Sequence, residues 1–304
     1  MTTFSPTDAA LEGFRLTRER PRALLIWSVF QFVVSIIMAF LMISLGGQHL
    51  MAIEQASADG SADPATLLAE FTALAPLYAV MLPVGLLMMA IMAAAVYRAV
   101  LEPGDDRRGF LRLGADELRL AALKVIYVFV WAGIVFAVVL VAALAAAAAR
   151  ALGEAASGFV GLCVGLFAVG LLLFITVRLS LAPAITFAEK RISIFESWSL
   201  TRGMFWRLLG AYSLAVAAIV VVALLGLVIF TAVAGVAVMA GGGQLADAGA
   251  AFNPDTTSLA SYFTIMTVAY LAFAAVLSAL YYAVVTAPGA VAYRALAASR
   301  ASAH

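Results

Sequence analysis

Six apolar runs separated by polar connectors organise the chain, at about 23–45, 74–100, 123–149, 158–177, 204–240 and 259–286. A helix of roughly 20 apolar residues crosses the ~30 Å hydrocarbon core of a bilayer, so each run is long enough to span it. The pattern therefore predicts an all-α polytopic integral membrane protein with about six transmembrane helices and interfacial amphipathic segments, in a single membrane domain over 1–304. The first run, Ala23 to Leu45, has 23 residues. That exceeds a signal-peptide core of about 7–15 residues, and the small-residue stretch Ala56-Ser57-Ala58 lies well beyond it, so an uncleaved first helix is expected.

Between and around the runs the polar positions predict shorter features. Residues 1–22 carry Phe14 and Leu16 among arginines, the composition of a short interfacial helix, with Pro21 closing it or opening the next. Asp63-Pro64 predicts a turn leading into a short helix, and Pro83 a kink in the second span. Asp116 and Glu117 fall in the first turn of the third helix, where carboxylates suit the helix dipole. Gly161 and Gly165 form a small-xxx-small pair suited to helix packing, whereas Gly226 and Gly235 mark bends or close approaches in the long fifth helix. Gly241-Gly242-Gly243 ends that helix, and Ala287-Pro288-Gly289 is expected to end the sixth, leaving 287–304 as a short tail.

Composition agrees: 65% of residues are hydrophobic and 12% charged, with a mean hydropathy of +1.08. The distribution of charge is more informative than its sum. Of the 18 Lys and Arg residues, 17 lie in the N-terminal segment, the second and fourth connectors and the tail; only Arg150 lies on the other side. The positive-inside bias then places both termini and the basic connectors in the cytoplasm, with the acidic connectors outside. A weak internal repeat accompanies this layout. Val96-Tyr97-Arg98-Ala99-Val100 resembles Ala292-Tyr293-Arg294-Ala295-Leu296, and Arg98 and Arg178 each close a helix ahead of a basic connector.

Catalytic patterns are sparse. The two histidines, His49 and His304, are far apart; the carboxylate pairs Asp105-Asp106 and Asp116-Glu117 are explained by turn and cap roles. The single cysteine, Cys163, sits in an apolar run and provides neither a disulfide framework nor a Cys-rich metal site. No ionisable residue occupies the middle of any span, which argues against coupled ion transport. Hydroxyls recur on the sixth helix (Thr267, Tyr270, Ser278, Tyr281, Tyr282, Thr286), where they line a polar cavity or bond across to neighbouring helices. These features predict no enzyme, cofactor or metal site, and no nucleic-acid partner.

The connector from Arg178 to Leu209 carries the richest chemistry. Ser193 with Glu196 three residues on matches a capping box, and Gly203 is placed to end the short helix between them. Lys190, Arg191, Arg202 and Arg207 suit head-group phosphates, Trp198 and Trp206 suit the membrane boundary, and Arg178 opens the segment. These seven are the candidate lipid- or partner-binding residues. The run Arg178-Leu-Ser-Leu-Ala-Pro183, followed by Glu196-Ser-Trp-Ser-Leu-Thr-Arg-Gly203 and Phe205-Trp206-Arg207, resembles a group of poorly characterised bacterial inner-membrane proteins. That group includes the membrane region attached to some glycerophosphodiester phosphodiesterases. The resemblance implies a multi-span helical module in a bacterial inner membrane, without the phosphodiesterase's catalytic barrel. The expected function is a non-catalytic scaffold or accessory protein, lipid-associated, with membrane lipids and a cytoplasmic protein as partners. The competing expectation is a permease-like transporter of a hydrophobic or lipid substrate, to be favoured by a helix-six cavity reaching the midplane.

Overall fold

A computed structural model describes residues 5–58, 63–104, 107–150, 153–243 and 254–301. Asp105-Asp106 and His304 lie outside the described residues. Among those residues the chain is helical throughout, without strands. The helices are α1 (Pro6–Glu19), α2 (Pro21–Ala58), α3 (Pro64–Ala73), α4 (Ala75–Leu101), α5 (Ala115–Arg150), α6 (Glu154–Leu179), α7 (Ala182–Glu189), α8 (Phe195–Leu200), α9 (Phe205–Ala240), α10 (Leu259–Tyr262) and α11 (Ile265–Ala301). Six stretches are long and apolar enough to cross a membrane: Pro21–Ile53, Ala75–Leu101, Arg108–Arg150, Ser157–Glu189, Phe205–Ala240 and Ile265–Ala298. The protein is a polytopic integral membrane protein.

The bundle is built around α11, which packs against α1, α2, α4, α7 and α9, while α5 leans on α4 and α6 on α5. Alanine dominates this core. Ala279, Ala283, Ala287 and Ala290 of α11 are completely buried, as are Ala90, Ala94 and Ala95 of α4. Without a hydrophobic drive between helices in lipid, small residues that let backbones approach supply the packing. The outer helices present leucine, valine and phenylalanine outward, among them Phe129, Phe136, Phe159, Phe167, Leu225 and Val228.

Several elements differ from the sequence pattern. The N-terminal helix α1 is capped by Ser5, whose Oγ accepts from the Asp8 N–H at 3.3 Å, and opens on Pro6. It does not lie apart on the interface: Ala9, Ala10, Gly13 and Leu16 are buried against α9 and α11. Helix α2 continues through Gly46-Gly47, and a Cβ on Gly46 would stand 2.6 Å from the Leu77 side chain, so this glycine permits close approach to α4. The expected sixth helix is broken at Phe263 and Thr264, starts again at Ile265 and runs straight through Pro288. Gly161 and Gly165 are not a packing pair here. Added Cβ atoms at either would meet nothing within 4 Å, because that face of α6 points away from the bundle. Gly226 does make the expected close approach, with an added Cβ 3.2 Å from the Phe273 ring.

The turn between α4 and α5 is unusual. Arg108, Gly109 and Phe110 have successive φ values of 56, 60 and 64°. Left-handed geometry costs a non-glycine residue roughly 1–2 kcal/mol, so surrounding contacts must hold the turn. Trp27 Nε1 donates to the Gly109 carbonyl at 2.6 Å and Arg98 Nη1 to the Phe110 carbonyl at 2.6 Å. Both donors are buried, and Phe110 is fully enclosed.

Candidate functional site

The seven candidate residues of the 178–209 connector fall into three separate groups. Arg178, in the last turn of α6, works as an internal clamp. Its Nη1 donates at 3.4 Å to the Trp198 carbonyl and to Thr201 Oγ1, and its guanidinium lies over the Phe174 and Trp198 rings, 5.1 and 5.6 Å from their centroids. Ser197 completes the clamp, its Oγ donating to the Arg178 carbonyl at 2.6 Å and accepting from the Leu181 N–H at 3.2 Å. These bonds satisfy backbone groups that the end of α6 leaves open.

Lys190 and Arg191 are taken up by carboxylates. Lys190 Nζ lies 3.0 Å from Asp116 Oδ2 and 3.4 Å from Glu102 Oε1, tying the α7 end to the α4–α5 connector. Arg191 pairs with Glu189 at 2.7 Å and with Glu196. The expected capping box is therefore absent. Helix α8 starts at Phe195 with Ile194 as its cap, the Glu196 carboxylate turns to Arg191, and the buried Ser193 N–H donates to Thr186 Oγ1 at 3.2 Å. Gly203, with φ of 79°, turns the chain toward α9 three residues past the end of α8.

The Arg191 hydrogen bond holds the Glu196 carboxyl below the usual carboxylate range. A depressed folded pKa adds stability above the unfolded value near 4.3, and this contribution is lost as pH falls through the lowered value. Carboxyl 13C NMR should accordingly show Glu196 titrating below a free glutamate, and Arg191→Gln should raise it toward the ordinary range. The third group, Arg202, Trp206 and Arg207, is exposed where α9 begins, and neither arginine has a protein partner among the described residues. Trp206 is 79% accessible and stands edge-on to Phe205. Amphipathic side chains of this kind suit a membrane boundary.

A different place gathers polar groups inside the bundle. Leu120, Lys124, Tyr127 and Trp131 recur at helical spacing on one face of α5 and line a cavity of about 300 Å³. Tyr97 of α4, Tyr212 of α9, Thr286 of α11, Ser180 in the α6–α7 break and Pro183 complete it. Tyr127 Oη donates to the Leu179 carbonyl at 2.8 Å, where α6 runs out of internal partners. Gly289 keeps room here: a Cβ on it would stand 3.0 Å from Tyr212 Oη and 4.0 Å from Tyr97 Oη. Lys124 is half-buried and, among the described residues, has no hydrogen bond and no carboxylate against it. An ammonium in such surroundings is costly unless something compensates it.

This cavity adjoins an apolar groove along the seam of α5 and α6. Ile134, Val138 and Val141 face Phe167, Leu171 and Ile175 across a space of about 220 Å³. Trp131 and Thr176 line the polar cavity, and Ile134 and Ile175 follow next along the same helices. Of the hydroxyls predicted on the sixth helix, only Thr286 reaches the cavity. Thr264 and Thr267 bond each other at 2.9 Å, and the Tyr281 and Tyr282 rings meet edge to face. Along the chain Lys124 reads as the last cation of the basic second connector. Its spacing from Leu120, Tyr127 and Trp131 was the available signal.

Among the described residues no three His, Cys, Asp or Glu side chains come together as a metal site requires. Across the wider comparisons, no family model, no curated protein and no solved structure matches the chain.

Proposed function

We propose that this membrane protein is a non-catalytic, lipid-associated accessory protein that seats one anionic amphiphile between its helices. The observation that carries the reading is the uncompensated Lys124 ammonium in a tyrosine-rich cavity that adjoins the α5–α6 groove. A lipid matches both parts: its charged head neutralises Lys124 and takes hydrogen bonds from the tyrosine hydroxyls, while an acyl chain lies in the groove. Ligand sites of this kind are mostly apolar with a few convergent polar groups. The positive-inside bias of the arginines supports a position of the cavity toward the cytoplasmic leaflet, and the resemblance of residues 178–210 supports a bacterial inner membrane. A seat rather than a transport path is favoured because the cavity recruits only Thr286 from the hydroxyls of α11.

Native mass spectrometry of protein released from bilayer discs tests this. Wild type is expected to retain an anionic lipid that depends on this cavity, and Lys124→Gln to lower the retention of that lipid about tenfold, equivalent to ~1.4 kcal/mol. Thr176→Trp, which fills the cavity from the exposed side of α6, should abolish retention. A wild-type protein that emerges without selectively bound lipid would overturn the proposal.

A further inference from the structure

A second concavity lies where α1 meets α2 and the left-handed turn before α5. Its volume is about 460 Å³, and its lining includes Arg20, Arg22, Arg108, Glu19 and Ile26. None of these three arginine side chains forms a hydrogen bond or ion pair among the described residues. Elsewhere Arg15, Arg98, Arg119 and Arg191 are each bound to a carboxylate, while Arg202 and Arg207 stand unpaired among the described residues at the start of α9. Arg20 is the most constrained of the three. Its guanidinium stacks 5.0 Å from the centroid of the enclosed Phe110 ring, and its Nη1 is buried without a partner. Arg108 lines the concavity from the first of three consecutive left-handed residues. Strained backbone persists where surrounding contacts over-determine it, and it clusters at ligand clamps. Here Trp27 and Arg98 hold the turn from beneath through the Gly109 and Phe110 carbonyls.

We propose that Arg20, Arg22 and Arg108 form a binding site for the phosphate of an anionic membrane lipid, distinct from the Lys124 cavity. Guanidinium groups present paired donors that match phosphate oxygens, and three of them around one concavity suit a phosphomonoester dianion best. Glu19, the one carboxylate at the rim, sits within reach of Arg15, its Oε1 3.7 Å from Arg15 Nε. The ligand is a lipid rather than a soluble phosphate because the site stands at the start of the first membrane span. Ile26 lines the concavity, and Leu25 and Val29 continue the outward apolar face of α2, at 65 and 63% accessibility. A phosphate held by the arginines therefore has a surface beside it for its acyl chains. The site is carried by residues independent of the Lys124 reading.

The test uses the full chain in bilayer discs of phosphatidylcholine containing a minor fraction of phosphatidic acid, with bound lipids read by native mass spectrometry. Wild type is expected to select phosphatidic acid, and Arg22→Gln and Arg108→Gln each to lower that selectivity about fivefold to tenfold. Both side chains are exposed and internally unpaired, so these variants keep the fold. Lys124→Gln should release the lipid of the interhelical cavity and leave one phosphatidic acid bound, which Arg22→Gln or Arg108→Gln then removes; this separates the two sites. Unchanged selectivity in both arginine variants would overturn the proposal. So would an equal loss in Arg15→Gln, which would mark general attraction to a basic face, or inorganic phosphate at lipid-equivalent concentration displacing the lipid, which would mark a soluble-anion site.

Discussion

Replacing Glu117 with alanine is expected to cost about 3–5 kcal/mol, because it leaves a buried guanidinium with only the more distant, shared Asp116 carboxylate, 3.9 Å away, as counter-charge. Glu117 is 1% accessible and its Oε1 lies 2.6 Å from Arg98 Nη2. Arg98 is equally enclosed, and its other nitrogen donates to the Phe110 carbonyl at 2.6 Å. One guanidinium thus joins the end of α4, the start of α5 and the left-handed turn between them. Arg98→Ala should be at least as damaging, since it frees Glu117 and a buried carbonyl together. Unfolding by denaturant in mild detergent reads both losses. Glu117→Gln, which keeps an acceptor but removes the charge, should fall between wild type and Glu117→Ala. The pair Arg98→Met with Glu117→Leu should recover only part of the loss, because apolar replacements remove both charges' desolvation costs but leave the buried Phe110 carbonyl without its donor. A loss below about 1 kcal/mol in Glu117→Ala would place this pair in the class of exposed ion pairs and contradict its burial.

The six spans were legible because length, hydrophobicity and arginine placement act along the chain itself. What each helix faces was not. In lipid an apolar residue is equally at home against acyl chains or another helix, so a uniformly apolar span carries little record of its inner face. Gly161 and Gly165 read as a packing pair and face outward, whereas the alanines of α4 and α11, which no sequence pattern singles out, form the core. Proline was misleading for a related reason. Pro288 was expected to end a helix, yet α11 continues through it, as membrane helices do where neighbouring groups satisfy the freed backbone. The candidate site split along similar lines. Lys190 and Arg191 looked available because their partners, Asp116, Glu102 and Glu196, are revealed only by the fold or were assigned to caps. Arg98 and Glu117 lie 19 residues apart across a strained turn, and Asp116 looked no different from Glu117 in the chain. In three dimensions one carboxylate is sealed inside while its neighbour pairs with Arg119 at 2.6 Å near the surface.

Gly13→Ala should destabilise the protein by about 1–3 kcal/mol even though alanine is the better helix former by roughly 1 kcal/mol. The reason is what the new methyl would meet. A Cβ on Gly13 would stand 2.6 Å from the Ala283 carbonyl oxygen and 2.7 Å from its carbon, and closer still to the Val284 Cα. All three are backbone atoms of the central helix, so no side chain can rotate aside; α1 must lift away from α11. Lifting it would expose Ala9, Ala10 and Leu16, which are buried against α9 and α11, so Gly13→Leu is expected to release the whole helix. Limited trypsin digestion measures the release directly, since Arg15 and Arg18 lie in α1 and are protected only while it is folded and docked. Gly133 in α5 supplies the contrast: an added Cβ there meets nothing within 4 Å. Gly133→Ala should keep wild-type stability or gain up to about 1 kcal/mol from helix propensity alone. Equal responses at Gly13 and Gly133 would show that α1 is not docked by close backbone contact. A loss confined to Gly13, with faster cleavage at Arg15, would establish the N-terminal helix as a packed part of the membrane bundle.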